Sequence, residues 1–132
     1  MNALKLIALV IAVFVISQLN QWDVLDRVFF ALDSYALDAE SRRVLDAQAQ
    51  WLAANPNVRV TIEGHADERG TREYNLALGD RRANAARDYL QSRGIDASRM
   101  QTISYGKERP AVIGNSEESY AQNRRAVTVV PE

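Results

Sequence analysis

"VRVTIEGHADERG", residues 58–70, begins as an alternation and ends as a charge cluster. Val58, Val60 and Ile62 alternate with Arg59, Thr61 and Glu63, the period-two pattern of a strand with one apolar face. His65, Asp67, Glu68 and Arg69 then follow between Gly64 and Gly70, and His65 is the chain's single histidine. A strand entering a core does not need such a cluster in order to fold. The cluster is therefore a candidate site, and the elements around it decide what kind.

Downstream, Thr71 is placed to cap a helix, Glu73 suits its first turn and Gly94 ends it. Along that helix Leu76, Gly79, Ala83, Ala86 and Leu90 repeat with the spacing of a buried seam. Its small residues allow close approach to a sheet. Asn75, Leu78, Arg82 and Tyr89 form the neighbouring stripe. Asn75 and Arg82 are seven residues apart and face the same way, about 10.5 Å apart along the axis. Asp67, Asn75 and Arg82 can thus surround one small concavity. We expect the seam to be structural and the stripe beside it to be functional.

Upstream, "RVFFAL" (residues 27–32) reads as a short strand. Asp38 is placed to cap a helix that carries Val44, Leu45, Trp51 and Leu52 on one side and stops at Asn55-Pro56. "QTISY" (101–105) and "AVTVV" (126–130) are further strands, with a short helix around Glu117 to Gln122 between them. The order β-α-β-α-β-(α)-β predicts an α+β fold, an α/β sandwich in which helices pack on a mixed four-stranded sheet.

The chain of 132 residues has room for one domain and a short appendage. The appendage is residues 1–20, a hydrophobic helix by pattern, with residues 21–132 forming the domain. "LIALVIAVFVI" (6–16) is an unbroken apolar run behind Lys5. Its eleven residues rise about 16 Å as a helix, roughly half a bilayer core. Extension to residues 3–19 approaches the spanning minimum, and Val15-Ile16-Ser17 offers a small-residue cleavage site. Export signal or membrane anchor, the segment places the rest outside the cytoplasm. A net charge of −1 gives no reason to expect nucleic acid. With no cysteine, disulfides, thiolate metal sites and a cysteine nucleophile are excluded.

Three chemistries fit the cluster. His65 and Asp67 share a face of an extended segment and offer two metal ligands, but zinc usually takes several histidines or cysteines. Asp33, Asp67 and Glu68 contain carboxylates for hydrolytic work, yet nothing in the sequence fixes their separation and no nucleophile elbow is present. The third chemistry is a clamp, in which Asp67 holds an ammonium and the planar fork of Arg82 holds a carboxylate. A free amino-acid end carries both charges on one carbon. The plain alternative is a ligand-free Asp67–Arg82 salt bridge, and the residues alone leave these two open.

"TIEGHADERGTREYNLALGDRRANAARDYL" resembles the core of the OmpA-like peptidoglycan-binding domain, and "DRVFFALDSYAL", "ISYGKERPAV" and "NRRAV" match the same family in order. The "GHADERGT…YN…L…RRA" form is similar to the family's peptidoglycan-associated lipoprotein branch, part of the Tol-Pal system. The resemblance implies a non-catalytic module, without cofactor or metal, that grips peptidoglycan at the meso-diaminopimelate of the stem peptide. It assigns Asp67 to the amine and Arg82 to the carboxylate, with Asn75 and Leu78 lining the pocket. Asp33, Ser34 and Tyr35 then belong to a loop that contributes to the same groove. It further implies the Tol propeller protein TolB as a partner, and a periplasmic place in the cell envelope. That branch carries a lipid-bearing cysteine that this sequence lacks, so an inner-membrane anchor or a soluble periplasmic form is expected alongside the family's outer-membrane location. The alternative is a wall hydrolase or metal-dependent enzyme built on His65 and Asp67.

Overall fold

The computed structural model describes residues 25–131, and the apolar segment 1–20 lies outside them. Four strands form one sheet: β1 (Arg27–Phe29), β2 (Val60–His65), β3 (Met100–Gly106) and β4 (Arg125–Val129). Helices α1 (Ala39–Ala54), α2 (Arg72–Ser92) and α3 (Glu117–Asn123) intervene, with a 3₁₀ turn at Ala97–Arg99. The sheet order is β1-β4-β2-β3, with β4 antiparallel to both neighbours and β2 parallel to β3. The expected mixed sheet with helices packed on it is what the chain forms. Among the described residues no helix is long and apolar enough to cross a membrane.

Local signals account for the elements. Asp38 accepts from the Ser41 N–H at the start of α1, and Thr71 accepts from the Tyr74 N–H at the start of α2. Gly94, at φ +97°, takes the left-handed turn beyond α2. Val28, Leu45, Leu52, Val60, Ile62, Ala83, Ala86, Leu90 and Ala126 meet in one buried core between helices and sheet. The α2 seam is at its centre, with Leu76 half-buried at one end. β1 is shorter than the apolar run 27–32 suggests. The run turns at Asp33, φ 54°, and leaves Leu32 exposed.

One contact positions the site. Gly64 on β2 faces Gly79 on α2 so closely that a Cβ added to Gly64 would land on the Gly79 carbonyl. Only glycine at both positions lets the two backbones meet. The strand leading to Asp67 and the helix carrying Arg82 are thereby seated against each other.

Candidate ligand-binding site

At the end of β2 the chain passes Ala66 and Asp67 and turns through Arg69 and Gly70 into α2. A cavity of about 270 Å³ opens there. Asp33, Asp67, Asn75, Leu78 and Arg82, all expected from the sequence, line it together with Arg69, Tyr74 and Arg124. Ser34 and Tyr35 do not. They line an adjoining groove of about 780 Å³ with Arg81 and Asp88, and Asp33 borders both spaces.

Arg82 is wholly buried. Its Nε donates to the Ser34 carbonyl at 2.9 Å, Nη1 to the His65 carbonyl at 2.9 Å and Nη2 to the Ala31 carbonyl at 3.1 Å. Three of its five N–H donors thus bracket the β1–α1 loop to the end of β2, and two are not spent on those carbonyls. Burial and the neighbouring Arg124 charge push its pKa down to about 10, so it stays protonated at neutral pH. The division into a structural seam and a functional stripe needs correction here. Arg82 stands on the stripe, yet it also holds the fold, because a buried guanidinium requires several fixed acceptors.

Asp67, 5% exposed, is the buried acid of the cavity, and Asp33 is the exposed one. Its Oδ1 accepts from the Arg69 main-chain N–H at 3.0 Å and from Arg69 Nε at 3.1 Å. Its Oδ2 accepts from Arg69 Nη2 at 2.7 Å and Arg124 Nη1 at 3.3 Å. Burial works to raise its pKa, but the Arg69 and Arg124 hydrogen bonds outweigh that and hold the carboxyl below its ordinary value. The direct Asp67–Arg82 pair is not how the charges are met. Asp67 pairs with Arg69 and Arg124, and Arg82 bonds main-chain carbonyls.

The surrounding loop is pinned in place. Asn75 Nδ2 donates to the Arg69 carbonyl at 2.8 Å, and Lys107 Nζ donates to the Gly70 carbonyl at 2.7 Å. Tyr74 donates its hydroxyl to Asp33 Oδ1 across the mouth at 3.1 Å. Arg124 is held by the Phe30 carbonyl at 2.8 Å and by Glu117 Oε1 at 2.9 Å.

His65 takes no part in lining the cavity. The alternation along β2 turns Gly64 toward α2 and the His65 ring to the opposite face of the sheet. There it is 1% exposed, bonded to Glu63 Oε1 at 3.0 Å and stacked on Tyr105 at 5.5 Å. Asp67 comes two residues after β2 has ended at His65, so the strand alternation that would put residues 65 and 67 on one face no longer governs it. A joint His65/Asp67 centre, for a metal or for catalysis, is therefore not assembled. No group of three metal-ligating side chains occurs among the described residues.

Arg69 and Arg124 line the cavity and hold Asp67, and the Tyr120 ring stands against the Arg69 guanidinium; the sequence pattern points to none of the three. Arg69 was inside the quoted cluster, and Arg124 stands in the "NRR" before the last strand. Arg69 finds Asp67 two residues away, but the partner of Arg124 is supplied only by the fold, since Arg124 and Asp67 are 57 residues apart.

Residues 29–124 match the OmpA family. The chain is 62% identical over 105 residues to the peptidoglycan-associated lipoprotein of Rhizobium meliloti (strain 1021), covering 80% of this chain and 60% of that protein. It spans about three fifths of the length of the curated relatives it matches first. The crystal structure of the peptidoglycan-associated lipoprotein from Burkholderia pseudomallei is similar at a TM-score of 0.78 and 43% identity, covering 80% of this chain and 90% of that one. The C-terminal domain of Helicobacter pylori MotB shares the fold alone, with a TM-score of 0.75 at 19% identity over 81% of this chain and 84% of that one. With its β1-β4-β2-β3 sheet, its seated α2 and a match running from β1 to the end of α3, the chain belongs to the OmpA family.

Proposed function

We propose that this domain binds cell-wall peptidoglycan in the periplasmic part of the cell envelope and grips the diaminopimelate of the stem peptide. The observation that carries this reading is the cavity itself. A buried carboxylate and a buried guanidinium line one space of about 270 Å³ on two elements seated backbone to backbone. Asp67 takes the ammonium of an amino-acid end, and the remaining N–H groups of Arg82 take its carboxylate. Leu78 supplies an apolar wall and Asn75 fixes the loop. Asp33 stands at the mouth, and Ser34 and Tyr35 continue the surface into the adjoining groove. The names of the relatives support peptidoglycan as the polymer.

The domain is a binding module and not an enzyme. In the wider reading it supports envelope integrity in a Tol-Pal-like role, with TolB as protein partner. Residues 1–20 then serve as export signal or membrane anchor, and residues 21–132 as the binding domain. The test is incubation of the purified domain with wall sacculi, followed by sedimentation and assay of the supernatant for muropeptides. Co-sedimentation without muropeptide release is expected. Failure to sediment would overturn the reading, and release of muropeptides would restore the enzyme.

A further inference from the structure

We propose that Arg69 is a specificity-determining residue: its guanidinium holds the ammonium's place on Asp67 and leaves it only for a ligand that brings a cation of its own. This rests on the reading of Asp67 as the amine holder. A carboxylate offers about four lone-pair sites, and on Asp67 all four are met. Two are on Oδ1, from the Arg69 main-chain N–H and Nε, and two on Oδ2, from Arg69 Nη2 and Arg124 Nη1. An incoming ammonium must therefore displace a donor.

Only one donor group is able to leave. The main-chain N–H is fixed by the loop. The Arg124 side chain is 7% exposed and held by the Phe30 carbonyl and Glu117. The Arg69 side chain is 38% exposed, and its departure frees one site on each Asp67 oxygen. It also has a second berth. Its guanidinium carbon stands 4.3 Å from the centroid of the Tyr120 ring, and Nη2 is 3.7 Å from Glu117 Oε2. Arg69 can release Asp67 and keep both a ring face and a carboxylate.

The charge balance points the same way. With Arg69 in place the cavity wall carries Asp33 and Asp67 against Arg69, Arg82 and Arg124. Once Arg69 withdraws, two carboxylates face two guanidiniums, which suits a zwitterion. A ligand lacking the ammonium gives Arg69 no reason to move and gains nothing from Asp67.

Calorimetry with two stem peptides tests this, one carrying diaminopimelate and one carrying 2-aminopimelate, which lacks the distal amine. Arg69→Gln removes a partly exposed competitor, so it should bind the diaminopimelate peptide about two- to fivefold tighter. Its affinity for the aminopimelate peptide should not rise. Discrimination between the two peptides therefore widens. Tyr120→Leu removes the berth and should weaken diaminopimelate binding in the wild-type background but not in the Arg69→Gln background. A bystander or purely structural Arg69 would not produce that non-additivity. If the wild type binds and discriminates while folded Arg69→Gln binds equally or more weakly, the displacement falls and the clamp stands. If the wild type does not discriminate, Asp67 is not the amine holder, and both readings fall.

Discussion

Two arginines staple the two ends of β2. At its start, Arg99 donates from Nε to the Val58 carbonyl at 3.0 Å and from Nη2 to the Leu52 and Asn55 carbonyls at 2.9 and 2.8 Å. At its end, Arg82 does the same for Ala31, Ser34 and His65. Arg82 ties a loop to the end of the strand and Arg99 ties the end of α1 to the segment that enters it, each through three main-chain oxygens, where an ammonium has no planar fork to offer. The surroundings differ. Arg99 is half-buried and serves only carbonyls, whereas Arg82 is sealed and lines a cavity with Asp33 and Asp67. The same staple is scaffold at one end and, in the proposed reading, both scaffold and ligand group at the other. Carboxylates beside a wholly buried fork separate the two roles.

The sharpest way to break this comparison is Arg82→Ala. It takes a donor from the buried His65 carbonyl and from the part-buried Ser34 and Ala31 carbonyls, and it empties the space of a wholly buried side chain, so a loss of about 3–5 kcal/mol is expected in urea melts. A mild melt with lost binding would make Arg82 a ligand group alone. Next comes Asp67→Asn, which keeps the shape but removes the charge. Stem-peptide binding should fall about 10- to 150-fold, read by calorimetry, with circular dichroism unchanged. Undiminished binding would leave the cavity end no different from the Arg99 end. Arg99→Ala should lower stability by about 1–3 kcal/mol, because water can reach the half-buried Asn55 and Val58 though not the buried Leu52, and should leave wall binding unaltered. Reduced binding there would erase the distinction.

The smallest effect concerns pH. Burial, joined by the Arg125 charge, pushes the His65 imidazole below its ordinary 6.5, although Glu63 pulls the other way. The unfolded chain then takes up the proton first. The contribution of His65 to stability is full above its unfolded pKa and declines as pH falls below it. Melts from about pH 7 to about pH 5 should show that decline, and His65→Phe should flatten it. A slope unchanged in the variant would assign it elsewhere.

The fold was largely legible in the sequence because its signals are local. Asp38 and Thr71 sit where caps must, the 76–90 seam has helical period, and 58–63 alternates. The site was legible only halfway. Asp67, Asn75, Leu78 and Arg82 could be placed from strand end and helix phase, and resemblance gave them roles. Arg124 and Tyr120 could not be placed, since they stand just before the strand inserted between β1 and β2 and on the last helix, far along the chain from Asp67 and Arg69. The buried face of His65 was missed for another reason. The alternation read from 58–63 does set that face, but β2 ends at His65, and where the strand ends is decided by its pairing partners and not by its own sequence.

The Gly64–Gly79 contact has a consequence for hydrogen exchange. The strand and helix that carry Asp67 and Arg82 cannot part without opening the centre of the core. Amide protons of β2 and of the middle of α2 should therefore exchange only through global unfolding, and the slowest-exchanging segment should run right up to the cavity. Most binding surfaces are drawn from the parts of a protein that open most easily. Here the walls would be the last to open, so a ligand departs by moving side chains and not by melting the site around it.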